Sequence, residues 1–193
     1  PHVLLQRPDP TGLDHSAVVT ALSIQPRGPL LATAGDDHLV RLWDLRTGKL
    51  VRTLQGHRDW VRCAAFTPDG RWLATAGDDR RILLWDPRGD GRPVEFATRD
   101  EAINSIDFSP HGNWLAVIGF NSHLDVYNAE TGQQIISVGC PCCDMRAISF
   151  SDDGRLLAAG GRNGQVAIWE VPSGRQVAVW QAHRQRLRSL VFR

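Results

Sequence analysis

Two sets of residues in the first half of the chain contain the side chains that hydrolases use. Each set has a histidine, a threonine, an aspartate and a tryptophan: His15, Thr33, Asp37 and Trp43, and then His57, Thr75, Asp79 and Trp85. A hydroxyl, an imidazole and a carboxylate are the groups of a catalytic triad. A triad is needed only once, in one cleft, whereas these residues recur beside a tryptophan after 42 residues. The recurrence favours a structural role over nucleophilic catalysis, so we predict that the protein is not an enzyme.

The same offset of 42 residues relates four stretches of the chain. It relates the aromatic residues Trp43, Trp85, Tyr127 and Trp169, and the glycines Gly28, Gly70, Gly112 and Gly154. A constant period of this size is typical of repeat proteins, in which no single unit buries its apolar faces alone.

Each unit contains four short runs of strand-forming residues. In the second unit these are Val61–Phe66, 72–76, Arg81–Trp85 and 93–97. Pro68-Asp69-Gly70 separates the first two, and proline and glycine there favour a tight turn. Successive hairpins predict one four-stranded antiparallel sheet per unit, apolar on both faces. Stacking such sheets radially buries both faces, so we predict an all-β propeller.

At this level the chain resembles the WD-repeat β-propeller family, and the resemblance covers nearly all of it. It is carried by Trp43-Asp44 and Trp85-Asp86 at the repeat ends, by Gly56-His57, and by the segment FTPDGRWLATAG at 66–77. The resemblance implies repeats at about 15–56, 57–98, 99–140 and 141–182, a partial repeat at 183–193, and the end of a preceding blade at 1–14.

The resemblance also implies a role for the two histidine sets. In well-formed blades of this family such residues form a buried hydrogen-bonded tetrad, in which every polar atom finds a partner. The third and fourth units lack these residue types; they have Arg99, Val117, Asn121 and Tyr127, and Pro141, Ala159, Asn163 and Trp169. We therefore expect no tetrad in the last two blades and stabilisation mainly by apolar packing.

Composition narrows the class of partner and the location. The net charge of +1 favours neither nucleic acid nor a membrane surface as a partner. The sequence contains no phosphate-binding glycine loop, so we predict no cofactor. No signal peptide is visible, so we expect a cytoplasmic protein, although Pro1 in place of methionine suggests that the true start is missing. Lys49 is the one lysine among 22 basic residues; this bias predicts a GC-rich, bacterial gene.

One cysteine cluster could carry metal or redox chemistry. Cys140, Cys142 and Cys143 have no second pair of ligands nearby, whereas a structural zinc site needs two separated pairs. We prefer ordinary loop residues and predict no metal site, with zinc or a regulated disulfide as the alternative. Cys63, on a predicted inner strand, is interpreted as a packed thiol.

The resemblance implies function as a non-enzymatic protein-interaction scaffold, because propeller rims of this family are docking platforms for peptides and proteins. By register, the rim residues that would bind a partner are Trp60, Arg62, Asn104, Arg146, Arg162, Arg186, Arg188, Asp36, Asp78 and Phe120. An exposed tryptophan flanked by arginines is typical of an interface anchor, although Trp60 could instead pack under a loop. The alternative function is an assembly or sensor module of a larger enzyme or signalling protein, whose catalytic part lies outside this chain.

The repeat count predicts that these residues are part of a larger propeller. Residues 187–192 would add one inner strand and residues 2–5 an outer strand, so the middle strands of a fifth blade are missing. An open arc leaves two apolar blade faces uncovered. We expect additional chain to complete about seven blades, or a second copy to cover the faces.

Overall fold

The computed structural model describes residues 18–142 and 144–192, and over these residues the fold is all-β. Blade 1 comprises β1 (Val19–Ile24), β2 (Leu30–Gly35), β3 (Leu39–Asp44) and β4 (Leu50–Gln55). Blade 2 comprises β5 (Val61–Phe66), β6 (Leu73–Gly77), β7 (Arg81–Trp85) and β8 (Val94–Thr98). Blade 3 comprises β9 (Ile103–Phe108), β10 (Trp114–Gly119), β11 (His123–Asn128) and β12 (Gln134–Gly139). Blade 4 comprises β13 (Met145–Phe150), β14 (Leu156–Gly161), β15 (Gln165–Glu170) and β16 (Gln176–Gln181).

Each blade is a four-stranded antiparallel sheet in which neighbouring strands are consecutive in the chain. This confirms the predicted fold class; in blade 2 the second and fourth strands each begin and end one residue later than predicted. Turns β1–β2 and β3–β4 of every blade lie at one end of the strands, which we call the lower edge. The β2–β3 turns and the connections between blades lie at the other end, which we call the upper rim.

The core lies between the blades. Leu42 and Leu54 of blade 1 pack with Phe66, Leu73 and Trp85 of blade 2, all of them buried. Equivalent apolar clusters fill the spaces between blades 2 and 3 and between blades 3 and 4. Both faces of an inner blade are therefore covered, as the apolar runs on both sides of its strands require.

The four sheets do not close into a ring, and both ends of the arc expose apolar side chains. Leu22 and Ile24 of β1 are exposed at one end, and Val179 and Trp180 of β16 at the other. The predicted outer strand at residues 2–5 lies outside the described residues. No helix that could span a bilayer occurs in the part of the chain that the structure describes.

The predicted fifth inner strand is wrong: residues 187–192 form no strand. Instead, the buried Leu187 side chain packs over Gly160, and the Leu187 amide donates to the Gly161 carbonyl at 3.1 Å. An extended segment becomes a strand only when another strand pairs with it, and the described chain offers no partner at this position.

Candidate functional site

One residue of each inner strand bulges out of the sheet at the upper rim. The pairing between the two innermost strands skips a residue at this point in every blade, and the skipped residues are Thr20, Arg62, Asn104 and Arg146. A bulge bends the strand locally and re-aims the side chain of the extra residue. The repeat thus delivers one side chain per blade to the rim, at the positions that the register predicted.

Glycines on the paired strand make room for these bulges. A Cβ added at Gly77 would overlap the carbonyl oxygen of Trp60, and one added at Gly119 would overlap that of Ala102. Because the obstructing atoms belong to the backbone, no rearrangement of a side chain would relieve the clash. The close approach of the backbone explains the recurrent glycine at the end of the second strand.

Two of the four bulge residues join neighbouring blades. The Thr20 hydroxyl donates to the Val61 carbonyl of blade 2. The Asn104 amide donates to the Met145 carbonyl of blade 4 at 2.7 Å. The donors of both side chains are used within the protein, so Asn104, although predicted to bind a partner, is occupied in holding blades 3 and 4 together.

The other two bulge residues are arginines that stack on aromatic rings. The Arg62 guanidinium carbon lies 5.5 Å from the centroid of the Trp60 ring and 5.2 Å from that of the Phe120 ring. The Arg146 guanidinium carbon lies 4.8 Å from the Phe120 centroid. Phe120 of blade 3 is therefore shared by cations of blades 2 and 4. We call Trp60, Arg62, Phe120 and Arg146 the rim cluster; these distances are within the range of cation–π attraction.

Carboxylates at the rim hold both arginines. Asp78 accepts two hydrogen bonds from Arg62, of which the Nη2–Oδ2 bond measures 2.6 Å. Asp144 accepts from Nη2 of Arg146 at 3.0 Å, and its Oδ1 lies 2.8 Å from Nε. The bond to Asp78 raises the pKa of Arg62 above its usual value, against the effect of burial. The two hydrogen bonds between Arg62 and Asp78 fix the plane of the Arg62 guanidinium as well as its position.

The aromatic members of the rim cluster remain open to solvent. Trp60 is 44% exposed and Phe120 is 37% exposed, so Trp60 does not pack under a loop. Of the other predicted rim residues, Asp36 accepts a hydrogen bond from the Val18 amide at 3.0 Å, and Arg162, Arg186 and Arg188 are exposed. Within the described chain the structure records no contact between these arginines and the cluster.

Blade 2 contains a continuous buried hydrogen-bond chain. His57 Nδ1 donates to Asp79 Oδ2 at 2.9 Å, Thr75 Oγ1 donates to His57 Nε2 at 2.7 Å, and Trp85 Nε1 donates to Thr75 Oγ1 at 2.7 Å. Burial alone would raise the pKa of Asp79, but the hydrogen bond from His57 and those from the backbone amides of Arg58 and Arg81 outweigh it and lower the pKa. With Trp85 fully buried, these groups face no cleft and stabilise the blade.

Blade 1 shows part of the same arrangement. Trp43 Nε1 donates to Thr33 Oγ1 at 2.8 Å, as its counterpart does in blade 2. Asp37 accepts from Arg41 Nη1 at 2.7 Å. His15, the predicted fourth member, lies outside the described residues.

Blade 3 corrects the expectation of mainly apolar packing. Arg99, at the histidine position, forms an ion pair of 2.5 Å with Asp125, and their side chains are only 4% and 8% exposed. Gln134 Nε2 also donates to Asp125 Oδ1 at 3.1 Å. The signal was present in the sequence, because Asp125 interrupts an otherwise apolar strand in the same blade as the arginine.

Blade 4 uses the backbone at the corresponding place. Asn163 Nδ2 donates to the Pro141 carbonyl at 3.0 Å, and Trp169 is buried. The predicted absence of a tetrad fits both blades, but each has its own polar contact: Arg99 in blade 3 and the Pro141 carbonyl in blade 4 lie at the histidine position.

Three cysteines, Cys63, Cys140 and Cys142, are buried. Burial raises the pKa of Cys63 to about 12. The Cys142 amide donates to Cys140 Sγ at 3.2 Å, and the hydrogen bond between the two side chains lowers the pKa of Cys142. Cys143 lies outside the described residues. Over residues 18–142 and 144–192, no group of three or more His, Cys, Asp or Glu side chains is arranged to hold a metal ion.

Comparison with known proteins agrees with this repeat architecture. The family model described as WD40, "WD domain, G-beta repeat", matches residues 10–44, 48–86, 94–128 and 132–170. The chain belongs to the WD40 family. The matched segments include the strands of all four blades except the outermost strand of blade 4.

Individual WD40 proteins are similar to short parts of the chain. "WD repeat and SOCS box-containing protein 1" of Danio rerio is 42% identical over 57 residues, which cover 28% of this chain and 14% of that protein. "Nuclear distribution protein PAC1" of Coccidioides posadasii is 46% identical over 59 residues, covering 26% and 12%. "Ribosome biogenesis protein BOP1 homolog" of Drosophila virilis is 36% identical over 52 residues, covering 27% and 6%. The matches thus span a small part of these relatives, all eukaryotic, and a bacterial source stays a prediction.

Proposed function

We propose that this WD40 chain is a non-enzymatic scaffold that binds a protein or peptide partner at the upper rim, through the rim cluster. WD repeats are generally protein-interaction scaffolds and are typically non-catalytic. The observation that carries the proposal is the exposure of Trp60 and Phe120, whose ring centroids lie 5.5 Å and 5.2 Å from the Arg62 guanidinium carbon.

The composition of the cluster is that of an interface hot spot. Tryptophan and arginine dominate the energetics of many interfaces, because they combine a large apolar surface with directional donors. A partly exposed indole is costly to leave in water and gains when a partner covers it. The cluster therefore supplies an apolar anchor surface flanked by fixed cations.

The rim is also ordered before a partner arrives. Asp78 and Asp144 hold the two guanidiniums, and both guanidiniums lie over the Phe120 ring. Binding to side chains that are already held in place loses less conformational entropy than binding to mobile ones. The neutralised arginines suit an aromatic or aliphatic anchor residue better than a highly acidic segment.

A comparison of two exposed apolar side chains tests the proposal. Trp60 lies at the upper rim, and Leu45, in the β3–β4 turn at the lower edge, is 47% exposed. Affinity purification with quantitative mass spectrometry should show partners that are lost with Trp60→Ala and with Arg62→Ala but retained with Leu45→Ala. Melting temperatures close to that of the unaltered protein should accompany each variant. An identical set of partners for Trp60→Ala and the unaltered protein would contradict the proposal.

The exposed blade faces lead to a second part of the proposal, concerning assembly. Leu22 and Ile24 at one end and Trp180 at the other are apolar and uncovered; we propose that additional chain covers them, or a second copy if there is none. Light scattering of the isolated residues should then show oligomers, and a well-behaved monomer would contradict this. A cytoplasmic location and a partner other than nucleic acid or membrane stay predictions.

A further inference from the structure

A cavity of about 260 Å³ opens at the lower edge, between blades 1 and 2. Its walls come from three turns, β1–β2, β5–β6 and β7–β8, and include Gln25, Arg27, Arg71, Trp72 and Arg88. Since these turns lie at the opposite end of the strands from the rim cluster, the cavity is separate from the proposed partner-binding rim.

The β1–β2 turn departs from the repeat where it forms this cavity. In blade 2, Thr67 Oγ1 donates to Asp69 Oδ1 at 2.6 Å, and in blade 4 Ser151 Oγ donates to Asp153 Oδ1 at 2.6 Å. Such bonds close a turn on itself. In blade 1 the two positions are occupied by Gln25 and Arg27, so the hydroxyl–carboxylate bond cannot form.

Gln25 is instead directed across the boundary between the blades. Its side chain is buried, and Nε2 donates to the Gly70 carbonyl of blade 2 at 2.8 Å. Its Oε1 is buried without a hydrogen-bond partner among the described residues. A Cβ added at Gly28 would overlap that oxygen. A buried acceptor without a donor is unfavourable, and the shorter hydroxyl of the other turns avoids it.

Arg27 has a backbone conformation that the other turns reserve for glycine. Its φ is +55°, whereas the left-handed residue in the other three turns is glycine, with φ of +71° at Gly70, +76° at Gly112 and +69° at Gly154. This region is sterically unfavourable for a residue with a Cβ. Strained backbone of this kind clusters at functional sites, which makes the β1–β2 turn a candidate for one.

The arginines around the cavity are free to bind an anion. No ion pair is recorded for Arg27, Arg71 or Arg88 in the described part of the chain, and all three are exposed. The two carboxylates in the wall are used by the turns: Asp69 accepts from the Arg71 amide at 2.9 Å, and Asp86 from the Arg88 amide at 2.8 Å. The wall therefore carries a net positive charge with three unused guanidinium groups.

We propose that this cavity binds a phosphate monoester on a serine or threonine side chain of a protein partner. A guanidinium matches the oxygens of a phosphate in both charge and geometry, and clusters of arginines are the usual receptors for phosphorylated residues. The cavity is smaller than the roughly 300–1,000 Å³ of sites for drug-sized ligands, but it admits a single phosphorylated side chain.

The surroundings favour a phosphate carried by a protein over free phosphate. Trp72 lines the same cavity and its ring is partly exposed. Inorganic phosphate has no apolar part to cover this ring, whereas the residues next to a phosphorylated side chain can pack against it. The site thus combines a phosphate receptor with a surface for the flanking peptide.

Fluorescence polarisation with labelled peptides of degenerate sequence tests this assignment. Pools with a central phosphothreonine, threonine or glutamate are compared, and inorganic phosphate serves as competitor. The phosphothreonine pool should bind about ten-fold more tightly than the other two pools. The Arg71→Gln/Arg88→Gln double variant should lose this preference. The control Arg155→Gln, at the position of blade 4 that corresponds to Arg71, and Trp60→Ala, at the rim, should both retain it.

Each other outcome overturns the proposal. Equal binding of the glutamate pool would remove the preference for phosphate, and unchanged affinity of the double variant would place binding elsewhere. Competition by inorganic phosphate as effective as that by the unlabelled phosphothreonine pool would assign the site to free phosphate. Because Trp60→Ala is a separate variant, failure here leaves the rim proposal untouched, and the reverse also holds.

Discussion

The boundary between blades 2 and 3 is built differently from the boundaries on either side of it. Between blades 1 and 2, Thr20 donates to the Val61 carbonyl and Ser23 accepts from the Phe66 amide at 3.0 Å. Between blades 3 and 4, Asn104 donates to the Met145 carbonyl at 2.7 Å, and Asp107 accepts from the Phe150 amide at 3.0 Å. The same two positions of blade 2 are Arg62 and Ala65, and neither forms such a bond.

This difference separates two uses of a single repeat position. Where the bulge residue is short and polar, its side chain forms a hydrogen bond with the inner strand of the next blade. Where it is Arg62, it reaches Phe120 at the rim and leaves the inner strands of blades 2 and 3 to apolar packing. The rim cluster lies across the boundary that lacks these polar bonds. Arg62 therefore does not join the inner strands of blades 2 and 3, and its side chain is placed at the rim, where a partner can contact it.

Blade 2 has a buried tetrad and blade 3 does not, and the largest effect on stability is expected from breaking this tetrad. Trp85→Ala should lower the free energy of unfolding by about 3–5 kcal/mol, because it removes a buried ring and leaves Thr75 without its donor. Chemical denaturation measures the change. The matched variant Tyr127→Ala in blade 3, where no tetrad exists, should cost less. Equal losses for the two variants would show that the hydrogen-bond chain adds nothing to packing.

The buried ion pair of blade 3 should give the next effect. Asp125→Ala should cost about 3 kcal/mol, because it leaves the Arg99 guanidinium buried and uncompensated. Replacing both residues by leucine should recover most of the loss, since a buried pair exchanged for apolar side chains is often nearly neutral. Denaturation curves of the single and double variants decide. A double variant as unstable as Asp125→Ala would mean that the pair itself stabilises blade 3.

The predictable parts of this molecule are those determined within one repeat. Turn residues such as Pro68 and Gly70 act over a few positions, so they predicted the strands and, through the register, the residues at the upper rim. Contacts between blades depend on how two sheets are placed relative to each other, and no local sequence pattern predicts this placement. The stacking of Arg62 on Phe120 is such a contact. The Arg99–Asp125 pair was missed because it joins a residue of the β8–β9 connection to a residue of β11 by charge, outside the repeat pattern.

The pH dependence of stability should distinguish the two polar boundaries. Burial raises the pKa of Asp107 from 3.8 to about 6, despite the amide of Phe150, whereas Ser23 cannot titrate. A raised pKa in the folded state means that folding favours the protonated carboxyl group of Asp107. This contribution to stability is present below about pH 4 and is lost as the pH rises through about 6.

Asp107→Asn should therefore stabilise the protein at pH 7 by about 2 kcal/mol, somewhat less than two pKa units give, because the carboxyl is not fully buried. Below pH 4 the two proteins should be equally stable. Unfolding free energies of the variant and the unaltered protein, measured from roughly pH 3.5 to 8 so that the titration is bracketed, give the difference between them as a function of pH. A difference that does not vary with pH would show that Asp107 titrates normally.

The smallest expected effect tests the comparison of the boundaries directly. Asn104→Ala should cost about 1 kcal/mol, because it removes a hydrogen bond between blades 3 and 4 and leaves the Met145 carbonyl without this donor. Arg62→Ala, at the same position of blade 2, should cost less than about 0.5 kcal/mol, since its ion pair is partly exposed and joins no inner strands. Denaturation under identical conditions compares them. If Arg62→Ala proved the more destabilising, the rim stack would be holding blades 2 and 3 together, and Arg62 would be a structural residue of this boundary rather than one kept available for a partner.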